Sequence, residues 1–86
     1  MFICLKMNKA IVLITLEAGA EQLVLEQLRE MEGIIDAHFL YGPYDAFVKI
    51  EAEDSQQLHD VVINKIRNIE GVLSTMTCFI ANWFIS

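Results

Sequence analysis

Residues able to do chemistry concentrate in two short segments of the chain. The first, Tyr41-Gly42-Pro43-Tyr44-Asp45, sets two phenols and one carboxylate around a Gly-Pro turn. Gly42 and Pro43 by themselves specify no more than a tight turn. In a ligand loop, the amides freed by such a turn could hold a carboxylate, and Asp45 could receive an ammonium group. The second segment, Ser74-Thr75-Met76-Thr77, carries three hydroxyls in four residues. Threonine favours strands, so a cross-strand hydroxyl ladder is one reading. Hydrogen bonding to a small polar ligand is the other. Both segments offer donors and acceptors suited to a zwitterion, and neither contains an activated nucleophile.

The rest of the inventory is thin. There is no nucleophile elbow, no metal-ligand spacing and no glycine-rich phosphate loop, so no catalytic residue, metal or cofactor is expected. The two histidines, His38 and His59, fall in different elements. His59 lies between Leu58 and Asp60 on a helix that already has its apolar stripe, and is read as solvated. His38 shares a strand face with Asp36 and is read as a solvated or interface residue rather than a general base. Cys4 and Cys78 make neither a disulfide framework nor a metal site. They are read as reduced thiols of a cytoplasmic protein.

The elements that must position these segments follow from periodicity. Ala10-Ile11-Val12-Leu13-Ile14-Thr15-Leu16 is a β-branched, almost continuously apolar run, as a central strand would be. Ala20, Leu23, Val24, Leu28 and Met31 form a one-sided stripe that predicts a helix over 20–32, stopped by Gly33. Ile34 to Tyr41 is predicted as a second strand, broken by Gly42-Pro43. Ala46 to Ala52 is a third, with Lys49 and Glu51 on the same side as Phe47. Asp54 and Gln57 make a capping-box-like pair. They open a second helix with Leu58, Val61, Val62, Ile66 and Ile69 on its apolar face, ended by Gly71. Val72 to about Ile80 is a fourth strand.

The order is β-α-β-β-α-β, and the halves resemble each other: Met31-Glu32-Gly33-Ile34-Ile35 parallels Ile69-Glu70-Gly71-Val72-Leu73. Two split βαβ units predict an α+β, ferredoxin-like sandwich. Its four-stranded antiparallel sheet carries both helices on one face. The other face is left bare.

Composition bears on that bare face. Apolar and aromatic residues make up 55% of the 86 residues, more than an ordinary soluble domain carries. A domain this small buries only about 60–65% of its surface. Neither side of the first strand is polar enough for water. Dimerisation through the sheet is therefore expected. No apolar stretch reaches the roughly 18–20 residues of a membrane span. Twelve acidic against six basic side chains give a net charge of −6. That argues against direct contact with nucleic acid or anionic lipid.

Taken in order, the stretches Ala10-Ile11-Val12-Leu13-Ile14, Glu32-Gly33-Ile34, Gly42-Pro43-Tyr44-Asp45 and Ile69-Glu70-Gly71-Val72-Leu73-Ser74-Thr75-Met76-Thr77 form a pattern. It resembles the effector-binding (RAM) domain of the Lrp/AsnC family of transcription regulators. Gly42-Pro43-Tyr44-Asp45 fits the family's Gly-x-Tyr-Asp, with Pro43 at its variable position. The resemblance covers residues 8–80, leaving 1–7 and 81–86 as unmatched extensions of one domain spanning 1–86. It implies a dimeric α/β barrel, further assembly of the dimers into a higher oligomer, and an amino-acid effector bound between dimers. By match, Gly42, Tyr44, Asp45, Ser74, Thr75 and Thr77 would form the ligand pocket. The loop would hold the α-amino and α-carboxylate groups.

The family's DNA-reading helix-turn-helix has no counterpart in the nine residues before the first strand. The expectation is a stand-alone sensing domain that modulates a full-length Lrp/AsnC paralogue, not a repressor in its own right and not an enzyme. Either Met1 is a mis-assigned start, with Met7 the true one, or Phe2-Ile3-Cys4-Leu5 adds contact surface. The apolar tail Asn82-Trp83-Phe84-Ile85 is expected to pack on another subunit. Three other readings stay open. An ACT-like metabolic module shares topology and ligand class, but Glu17-Ala18-Gly19-Ala20 matches its glycine-rich turn poorly. A small dimeric α/β-barrel enzyme could use His38 or Trp83. A purely structural oligomer needs no ligand.

Overall fold

The computed structural model describes residues 8–80, and of residues 61–63 the backbone alone. Expectations for Cys4, Val61, Val62 and the two terminal extensions therefore lie outside the described residues. Strand β1 (Asn8–Leu16) leads to helix α1 (Glu21–Arg29), then β2 (Ile34–Phe39) and β3 (Ala46–Ala52). Helix α2 (Ser55–His59) runs on as a wider π-helical stretch (Asp60–Ile66) before β4 (Val72–Phe79). The sheet has four antiparallel strands in the order β2-β3-β1-β4. This is the expected ferredoxin-like α+β arrangement, with β1 and β3 central.

Alternation makes the core. Ala10, Val12, Ile14 and Leu16 of β1 and Ala46, Val48, Ile50 and Ala52 of β3 are buried toward the helices. Val24 and Leu28 of α1 meet them, joined by Leu58, Ile66 and Ile69 from the second helical segment. A strand places successive side chains on opposite faces. The intervening residues Ile11, Leu13, Phe47, Lys49 and Glu51 therefore occupy the opposite, helix-free face, where they are half-buried.

Several element ends differ from the periodicity. Helix α1 spans Glu21–Arg29 rather than 20–32, and its last turn tightens as Met31 N–H donates to the Leu28 carbonyl at 3.1 Å. Gly33 does not follow the helix directly. It lies in the turn just ahead of β2, where its carbonyl accepts from Glu51 N–H at 2.8 Å. Strand β2 stops at Phe39, leaving Tyr41 fully exposed. The cap of α2 is as expected: the Asp54 carboxylate accepts the Gln57 N–H at 2.7 Å. Between the second helical segment and β4, Gly71 has φ +101° and packs where a Cβ would stand 2.9 Å from Ala20 Cβ. Among the described residues, no helix is long and apolar enough to cross a membrane.

Candidate functional site

The β2–β3 loop and β4 meet on either side of β1. Asp45 ties the loop to that strand and to the residue that follows β2 in three ways. Its N–H donates to the Ile14 carbonyl at 2.8 Å, its carboxylate Oδ2 accepts the Leu16 N–H at 2.8 Å, and its carbonyl accepts the Leu40 N–H at 2.9 Å. The carboxylate read as an ammonium acceptor is thus also a clamp on the end of β1. Gly42 has φ +148° and open space around it, so the loop's backbone is exposed on that side. Tyr44 reaches across β1: its hydroxyl donates to Met76 Sδ at 3.3 Å.

On the far side of β1, the hydroxyls of β4 divide between the two faces. Pairing sets Ser74 opposite Thr15, Thr75 opposite Ile14 and Thr77 opposite Val12. Ser74 therefore shares the helix-free face with Thr15, and their hydroxyl oxygens are 2.6 Å apart. Thr75 and Thr77 share the helix-bearing face with buried Ile14 and Val12. So five of the six residues carried over from the resemblance come to one end of the sheet, Thr77 lies opposite the middle of β1, and the six do not share one face. Tyr44 and Ser74 belong with the helix-free side, while Thr75 and Thr77 belong with the helices.

Thr75 and Thr77 line a hollow of about 400 Å³ beside the edge strand β4, together with Arg67, Val72, Leu73 and Ser74. Arg67 was not among the expected site residues. The signal that could have found it is a basic residue just ahead of the Gly71 turn that feeds a hydroxyl-rich strand.

The helix-free face has its own organisation. Phe47, Leu13 and Met76 stand in one row across three strands, and Lys49, Ile11 and Cys78 in the next. Polar residues surround this centre. His38 Nε2 lies 3.0 Å from Asp36 Oδ2, and its ring stands 6.1 Å from that of Phe47. Lys9 Nζ lies 4.0 Å from Glu51 Oε1. His38 is half-exposed and pairs with Asp36 rather than with the loop, while His59 is exposed on α2. Cys78 is a free thiol. Among the described residues no cluster of His, Cys, Asp and Glu is suited to a metal ion.

Comparison with known proteins places this arrangement. The family described as the Lrp/AsnC ligand binding domain matches residues 9–84. An uncharacterised HTH-type transcriptional regulator of Pyrococcus abyssi is 33% identical over 54 residues, covering 63% of this chain and 36% of the regulator. The match thus spans about a third of the length of that relative. A homocitrate synthase of Sulfolobus acidocaldarius is 42% identical over 50 residues, covering 58% of this chain and 10% of the enzyme.

Among solved structures, AsnC of E. coli superimposes with a TM-score of 0.84 at 26% identity, covering 92% of this chain and 54% of AsnC. A protein of Thermus thermophilus gives 0.85 at 29% identity, covering 93% of this chain and 100% of its own. A Neisseria meningitidis transcriptional regulator solved with L-methionine shares the fold, with a TM-score of 0.83 at 14% identity, covering 92% of this chain and 53% of the regulator.

Proposed function

The chain belongs to the Lrp/AsnC ligand-binding-domain family, and from that premise we propose that it is an amino-acid-sensing regulatory domain. One observation carries the reading. The exposed Gly42–Asp45 loop and the hydroxyls of Ser74 and Thr75 flank the same end of β1, and Thr77 follows toward the middle of that strand. The loop offers backbone amides and one carboxylate, and β4 offers hydroxyls. These are the groups that recognise a zwitterion. Neither side supplies a nucleophile held by a base, which favours binding over catalysis.

Assembly is part of the proposal. The apolar centre of the helix-free face, with charged residues around it, has the layout of an interface. A second copy laid on it would form a dimeric α/β barrel and leave the ligand loop at its rim. The same face would admit a longer relative that carries a DNA-binding segment, which is how the domain would reach transcription. The Sulfolobus acidocaldarius match supports a second reading, in which the domain acts on a metabolic enzyme instead.

The test is a thermal-shift screen against the twenty amino acids, with methionine an early choice because the Neisseria meningitidis regulator was solved with it. A ligand present at one hundred times its Kd stabilises the folded state by about 2.7 kcal/mol. A rise of several degrees with one or a few amino acids is expected, reduced in Thr77→Val. No shift with any of the twenty rejects the amino-acid reading.

A further inference from the structure

The hollow beside β4 carries more than hydroxyls. Of the six residues that line it, five are uncharged, and Arg67 alone is ionic. Arg67 follows directly on the π-helical stretch that ends at Ile66. A cation there favours the carbonyl end of a helix, but Lys65 already supplies one in the last turn. The helix therefore does not account for Arg67 lining the same hollow as the hydroxyl-rich strand. Among the described residues, the ion pairs are Lys9–Glu51 and His38–Asp36, and neither involves Arg67. A guanidinium presents five donors in a fixed fork that matches a carboxylate. Thr75 and Thr77 add hydroxyl donors on the same side.

The size also fits. A hollow of about 400 Å³ lies at the small end of ligand sites. In a chain of net charge −6, the general field opposes an anion, so a local guanidinium is what would hold one there.

We propose that Arg67, with Thr75 and Thr77, holds a carboxylate group, so that the domain's ligand is a small carboxylate anchored beside β4. The assignment extends the amino-acid reading and rests on it only for the identity of the carboxylate's bearer. An α-carboxylate and a side-chain carboxylate are equally suited to the fork.

The experiment is an amide-resolved NMR titration of the full chain, wild type, Arg67→Gln and Arg67→Lys, with succinate, glutamate and glutamine. The expected result is a saturable shift of the amides of residues 72–77. Arg67→Gln should bind about ten- to a hundredfold more weakly, the usual worth of a charge-assisted pair. Arg67→Lys should fall between, because it keeps the charge and loses the fork. Glutamate and glutamine binding alike assigns the α-carboxylate, whereas glutamate binding alone assigns the side chain. Succinate held in an Arg67-dependent way, with no amino acid active in the thermal screen, keeps the carboxylate site and rejects the amino-acid reading. Equal binding by wild type and Arg67→Gln, or no shift at residues 72–77 with any of the three, overturns the proposal.

Discussion

Asp45 shows how one side chain can serve both architecture and ligand. Its Oδ2 accepts the Leu16 N–H, so truncation leaves a part-buried donor without its partner. Asp45→Ala is expected to cost about 1–3 kcal/mol in urea unfolding. Asp45→Asn, which keeps an acceptor in place, is expected to cost less. Loss of ligand response in Asp45→Ala would therefore mix two causes, and Thr77→Val is the cleaner probe. Two glycines make a second contrast. Gly19 and Gly71 both have positive φ, but a Cβ at Gly19 meets nothing within 4 Å, while one at Gly71 would press on Ala20 and Val24. Gly19→Ala should cost about 1–2 kcal/mol from the dihedral alone. Gly71→Ala adds overpacking, for roughly 2–4 kcal/mol together. Denaturation midpoints that fall equally for the two would contradict the packing argument.

Among the secondary-structure elements, caps and central strands are legible in the sequence, and ends set by tertiary contacts are not. The β-branched run Ala10–Leu16 names a central strand because both of its faces are apolar. Asp54 names a helix start because its carboxylate is three residues from the amide it accepts. Asp54→Ala is accordingly expected to lower stability by about 1 kcal/mol, read as a lower urea midpoint. The end of α1 is different. Met31 continues the helical stripe, but Gly33 is drawn into pairing with Glu51, and a contact with a residue that distant leaves no local trace. The same holds for the site. Ser74, Thr75 and Thr77 stand out by composition, and strand alternation already implies that Ser74 faces away from the other two. Arg67 stands out only when it is seen to line the same hollow as the hydroxyls of β4.

The molecule's apolar surplus is now located. Ile11, Leu13, Phe47 and Met76 form the centre of the helix-free face, and Met76 is 49% exposed in the single chain. Covering that face is the proposed role of a second copy. Leu13→Glu would set a charge in the middle row without touching the core, since Leu13 points away from the helices. Light scattering should report a dimer or larger assembly for the wild type and a monomer for Leu13→Glu, with unchanged circular dichroism. A wild-type chain that stays monomeric at micromolar concentration would remove the basis for the dimeric barrel.

The alternation along β4 has a corollary for how its coding sequence tolerates length change. One extra codon between Thr75 and Met76, where pairing with β1 is regular, would exchange the faces of every residue upstream or downstream of it, because the side-chain period is two. Met76 would turn toward the helices, or Thr75 away from them, and the hydroxyl set would be dealt to the wrong sides. Two extra codons restore the faces while displacing the groups along the strand. An insertion scan through this segment should therefore show an odd–even rhythm, with single insertions losing both folding and ligand response and double insertions retaining more of the former. Substitution, by contrast, reads one face at a time.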